Sequence, residues 1–120
     1  MIKLTNKKYW IYKTMFIYNE NEEIIDLKNN DLNWCYISRY EKLSEQFIVK
    51  FQNQVDWHYI SISQKLSEPF IEKFQDKVDW YCISKYQSLS EPFAHKFYNH
   101  LNINNLLLNK NIDKQKILDI

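Results

Sequence analysis

The sequence predicts an all-α fold, a short α-solenoid of 23-residue helix-turn-helix repeats closed at both ends by degenerate capping copies. Three observations carry that prediction. The stretches LNWCYISRYEKLSEQFIVKFQNQ (32–54), VDWHYISISQKLSEPFIEKFQDK (55–77) and VDWYCISKYQSLSEPFAHKFYNH (78–100) align without a gap and share nine positions, a self-similarity that marks a repeat architecture. Helix-capping residues recur at two fixed places in each copy. Apolar residues recur at helical rather than strand spacing.

From the N-terminus, residues 1–31 are expected to form a cap or a degenerate unit. Asn21, Glu22, Ile24 and Ile25 match the second half of a copy, although Lys28 falls where its second Phe should be. The stretch KKYWIYKTMFIY before it is too apolar to lie loose in water. A cap helix, a hairpin or a dimerisation surface would each cover it.

In each regular copy the first half opens on Asn33, Asp56 or Asp79, good N-cap residues, followed by Trp and, three positions on, by Ile. Segments such as WHYISI could also alternate as strands. The recurring cap decides for a helix of about two turns. A leucine-rich β-α repeat has a similar period, but its Leu and Asn ladder is missing.

The second half, L-S-E-P/Q-F-x-x-K-F, has a defined helix start. Ser caps, Glu suits the positive end of the helix, and Pro removes only an N–H that has no partner inside it. The Ser67 and Ser90 hydroxyls should accept from the N–H groups of Phe70 and Phe93. Two Phe residues four apart then share one face.

The expected core is Trp34, Trp57 and Trp80, Ile37, Ile60 and Ile83, Phe47, Phe70 and Phe93, and Phe51, Phe74 and Phe97, with equivalent residues of successive copies meeting. Helices this short are marginal alone, so stacking must supply the stability. Beyond residue 100 the register continues as a fourth, worn copy: Asn102 at the cap, then Ile103 and Leu106, with Ile112, Asp113, Ile117 and Ile120 in its second half. Residues 1–120 are therefore read as a single repeat domain.

Composition excludes several functions. Sixteen basic and 15 acidic side chains give a net charge of +1, so no global field draws the chain to nucleic acid or an anionic membrane. No apolar run approaches the roughly 18 residues of a membrane span, and the start lacks the core of a secretory signal. A soluble, intracellular protein is expected, with no membrane partner and with Cys35 and Cys82 as free thiols. With no Gly in the chain, a phosphate-cradling loop is excluded; nucleophile elbow, HExxH and CxxC motifs are missing too, so no enzyme, no catalytic residue and no cofactor is expected.

The metal-binding possibilities among His58, His95, His100 and Cys82 are weak on spacing alone, and no metal site is assigned. Positions that differ between copies escape the shared packing demand: Cys35-Tyr36, His58-Tyr59 and Tyr81-Cys82 on the first helix, and Arg39-Tyr40, Ile62-Ser63 and Lys85-Tyr86 after it. The expected partner surface is Tyr36, Tyr59 and Tyr81 with Tyr40, Tyr86 and His58, suited to a protein partner or to self-association; the tyrosines could equally just cover the core. A single-stranded nucleic-acid array is the alternative, with tyrosines stacking bases and Lys50, Lys73 and Lys96 holding phosphates. Near-zero net charge speaks against it.

The motif D-W-x-x-I-S-x-x-Q-x-L-S-E-P-F-I-x-K-F, clearest at 56–74 and repeated with small changes at 79–97, resembles the short tandem repeats of uncharacterised proteins from giant DNA viruses of amoebae and their virophages. Gln46 for Pro, Asn33 for Asp and Ala94 for Ile depart from it. The abundance of Lys, Asn, Ile, Tyr and Phe suits an AT-rich genome. The resemblance implies a viral setting, in host cytoplasm or virus factory, and no chemistry.

Overall fold

The computed structural model describes residues 15–28 and 32–115. Its chain divides after Val55 into two compact units.

In the first unit the expectation of an all-α fold is corrected. Phe16–Tyr18 (β1) and Ile24–Leu27 (β2) form an antiparallel hairpin where the repeat register had suggested a helical half-copy. The turn explains the outcome: Asn19 Oδ1 accepts from the N–H groups of Asn21 and Glu23, and Glu22 takes a left-handed φ of 62°. An Asn side chain that closes a turn on its own backbone competes directly with helix initiation. Ile24 also pairs with the loop after the first helix, through Ile24 N to Lys42 O at 2.8 Å and Ser44 N to Ile24 O at 3.0 Å. Residues 7–14 of the apolar N-terminal stretch lie outside the described residues; its last three, 16–18, are β1.

The repeat itself is helical as expected, and both halves of each regular copy are short helices. The first unit holds α1 (Trp34–Tyr40) and α2 (Glu45–Lys50). The second holds α3 (Trp57–Ser63), α4 (Glu68–Lys73), α5 (Trp80–Tyr86), α6 (Glu91–Lys96) and α7 (Ile103–Leu108). Each predicted cap is made. The side chains of Asn33, Asp56, Asp79 and Asn102 accept from backbone N–H groups of the following first turn, and Ser44, Ser67 and Ser90 accept from Phe47, Phe70 and Phe93. The first helices run two residues further than the sequence suggested, so that Arg39-Tyr40 and Lys85-Tyr86 ride on their last turns.

Each regular copy closes an aromatic triad of its own. Ring centroids of Trp34, Trp57 and Trp80 lie 5.4 Å from those of Phe51, Phe74 and Phe97, and the two Phe rings of a copy lie 4.7–4.8 Å apart. Such pairs add to simple area burial. The Trp rings are half-buried, as is Phe51, while Ile37, Ile60, Ile83 and the remaining Phe residues are buried.

Between copies of the second unit the recurring contact is first helix on first helix, α3 against α5 and α5 against α7. Buried polar groups lock these pairs. Ser61 Oγ donates to Trp57 O at 2.7 Å and accepts from Asp79 N at 3.0 Å; Ser84 Oγ repeats this with Trp80 O and Asn102 N. Gln87 Nε2 donates to Ser61 O and Gln64 O, and its Oε1 accepts from Leu66 N. Asn109 then does for α5 what Gln87 does for α3, donating to Ser84 O and Gln87 O at 2.8 Å. The carbonyls that a helix leaves open at its C-terminus are thus closed by the next copy. The invariant Ser, which sequence alone leaves among the packing and capping residues, is a fastener between copies.

Candidate functional site

The expected tyrosine surface divides on inspection. Tyr36, Tyr59 and Cys82 occupy one position of the repeat, whereas Cys35, His58 and Tyr81 occupy the position before it. The structure follows this register: Tyr36 and Tyr59 are half-buried and Cys82 is buried, while Tyr81 is 62% exposed. A uniform row of Tyr36, Tyr59 and Tyr81 is therefore corrected, because Tyr81 stands one helical step, about 100° of rotation, away from the equivalents of the other two.

Tyr40 and Tyr86, at 59% and 44% exposure, share a position in their own copies, each with a cation against the ring: the Arg39 guanidinium 4.9 Å and the Lys85 ammonium 5.3 Å from the centroid. A cation on a tyrosine face holds the ring in place and keeps the charge in water. Tyr36 packs on Tyr40 with centroids 4.9 Å apart.

Lys50 and Lys96, two of the cations a nucleic-acid array would use, are each held by a carboxylate, Lys50 by Asp26 at 3.0 Å and Lys96 by Glu72. The hydrogen bond from Lys50 holds the Asp26 carboxyl below its usual value. An open groove lies between α4 and α6 of the second unit, floored by Phe93 and Phe97. The Lys96–Glu72 pair and bonds from the Ser90 N–H and hydroxyl to the Glu68 carboxylate engage its polar groups.

The structure also assembles a cluster that spacing did not reveal. His58 Nδ1 on α3 lies 2.9 Å from Asp79 Oδ2 and 3.6 Å from Cys82 Sγ on α5, and one potential ligand atom from each residue falls within 4.8 Å of the others. His58 is exposed, Asp79 half-buried and Cys82 buried. An ionised carboxylate can only accept, so Nδ1 carries the imidazole proton in this contact. Burial pushes the Asp79 carboxyl up, but hydrogen bonds from His58 and the Cys82 N–H outweigh it and leave the group below its ordinary value. Burial, reinforced by the Asp79 charge, pushes the Cys82 thiol up to about 11. Both cysteines are free, Cys35 exposed and Cys82 buried. His95 and His100 are exposed, and His100 packs against Trp80 with centroids 4.9 Å apart.

The sequence signal for the cluster was available: His58 and Cys82 are one repeat plus one residue apart, which sets them on facing helices once neighbouring first helices pack side by side. Among the described residues no helix is long and apolar enough to cross a membrane. Compared with known proteins, the chain matches no family model, no curated protein and no solved structure, so its chemistry rests on its own residues.

Proposed function

We propose that the protein is a non-enzymatic α-solenoid that serves as a protein-protein interaction module, in the viral setting that its repeat motif implies. The observation that carries this reading is the solvent exposure of Tyr40, Tyr81 and Tyr86 on first helices whose core face is already filled by Ile37 or Ile83. Rigid, amphipathic tyrosines at positions free of the packing demand are what protein interfaces favour. The solenoid reading is supported by the second unit, where one set of hydrogen bonds joins α3 to α5 and recurs between α5 and α7. Nucleic acid is the weaker alternative, since carboxylates already engage Lys50 and Lys96.

The test compares wild type with a Tyr40→Ala/Tyr81→Ala/Tyr86→Ala variant in a pull-down from the source cells, with circular dichroism to check the fold. The folded variant is expected to lose the protein that wild type retains. Retention of every partner by the folded variant would remove the tyrosines from the proposal, and binding to single-stranded nucleic acid that weakens steeply with salt would favour the alternative.

A further inference from the structure

We propose that His58, Asp79 and Cys82 bind one zinc-class divalent ion that staples the second copy to the third. Two of the three ligand-to-ligand distances are near those of an open zinc site, and all three lie within 4.8 Å. A tetrahedral ion with ordinary Zn–N, Zn–O and Zn–S distances sets nitrogen and sulfur about 3.6 Å apart and nitrogen and oxygen about 3.3 Å apart. Here His58 Nδ1 is 3.6 Å from Cys82 Sγ and 2.9 Å from Asp79 Oδ2. The first edge is already in place. The second opens by a small swing of the imidazole, which sits on the exposed surface of α3.

The rest of the setting holds the ligands still. Asp79 uses its other oxygen, Oδ1, to accept from the N–H groups of Tyr81 and Cys82, which leaves Oδ2 for an ion and fixes the carboxylate plane. Outer hydrogen bonds of this kind orient metal ligands and tune affinity. Cys82 is buried in the first turn of the helix that Asp79 caps. One nitrogen, one oxygen and one sulfur suit borderline-soft zinc or cobalt, whereas calcium and magnesium take oxygen shells. With His58 open to solvent, a water molecule completes the tetrahedron. On binding, the thiol proton leaves to solvent and the imidazole proton passes to Nε2, so that the metal meets a thiolate and a neutral ring.

The repeat provides an internal control. At the junction of the third and fourth copies the positions of His58, Asp79 and Cys82 are held by Tyr81, Asn102 and Asn105, and there Asn105 Nδ2 donates to Tyr81 O at 2.9 Å. The same place between two first helices is bridged by an amide in one junction and fitted for an ion in the other. Cys35, Asp56 and Tyr59 stand at these positions one copy earlier, so the full donor set occurs once.

The experiment strips the purified full chain with a chelator and titrates it with cobalt, then with zinc. Wild type is expected to take up one equivalent, to show a thiolate-to-cobalt charge-transfer band that zinc bleaches, and to melt several degrees higher with zinc. Cys35→Ser should keep the band. Cys82→Ala should lose it, as should His58→Ala, an exposed change that leaves the fold intact. Asp79→Asn, which can still cap the helix, should weaken binding at least about tenfold. A wild type without the band, a band that survives His58→Ala, or a band that depends on Cys35 would overturn the proposal.

Discussion

Both worn ends of the repeat keep apolar residues in register, the C-terminal one those of a first half and the N-terminal one those of a second half, and they fold differently. Residues 101–109 have lost the Trp and carry Leu107 where the other copies carry Ser, yet α7 forms, because Asn102 caps it and Asn109 and Asn105 tie it to the copy before. Residues 21–27 keep Ile24 and Ile25 in register and even place Asn21 at the cap position, yet they make the second half of a hairpin. There the Asn19 side chain takes the N–H of Asn21, and Ile24 and Lys28 stand where a regular copy has its two Phe residues, so the aromatic pair is missing. Apolar matches alone did not decide the structure. The polar groups that start a helix and close its end did.

The comparison breaks most sharply at the regular copies. Phe74→Ala removes one ring from the triad of Trp57, Phe70 and Phe74 and should cost about 3–5 kcal/mol, read by denaturant unfolding. A loss under about 1 kcal/mol would mean that the triad is not what stabilises a copy.

Next comes Asn109→Leu, close to isosteric, which strips partners from Ser84 O and Gln87 O. Leaving a buried acceptor unsatisfied costs at least about 1 kcal/mol, so a loss of at least about 2 kcal/mol is expected, with faster amide exchange in α5 and α7 than in α3. Uniform exchange across the three helices would deny the clamp its role.

The smallest effect concerns charge at the caps, since Asn102 caps α7 as a neutral amide and Asp79 caps α5 as a carboxylate. The Asp79 carboxyl is depressed in the folded state, so its contribution is present above the ordinary value of 3.8 and is lost as pH falls through the lower folded value. Wild type should therefore exceed Asp79→Asn in stability near neutrality. The gap should close in acid, as measured by paired denaturation curves across that range; a gap that does not change with pH would contradict the linkage.

Much of this was legible from residue order. The caps at Asn33, Asp56, Asp79, Asn102, Ser44, Ser67 and Ser90, and the buried Ile and Phe positions, follow from local rules that act within a few residues. The hairpin was legible only as one of three ways to cover the apolar N-terminal stretch, because the contest between an Asn turn and an Asn cap is settled by bonds among Asn19, Asn21 and Glu23 that the repeat register does not describe. The exposure of Tyr81 against Tyr59 needed exact register, and the cluster of His58, Asp79 and Cys82 needed the packing of α3 on α5. Both are facts about neighbouring helices and not about either helix alone.

The serine fastener carries a consequence for how such a chain can change length. Ser61 and Ser84 each spend their proton inside their own copy and hold out a lone pair for the copy that follows, so the joint has a direction. A duplicated segment inserted in frame meets the same acceptor behind it and offers the same acceptor ahead. Growth or loss by whole units then needs no new surface, and a chain of this kind can vary its reach by copying error alone.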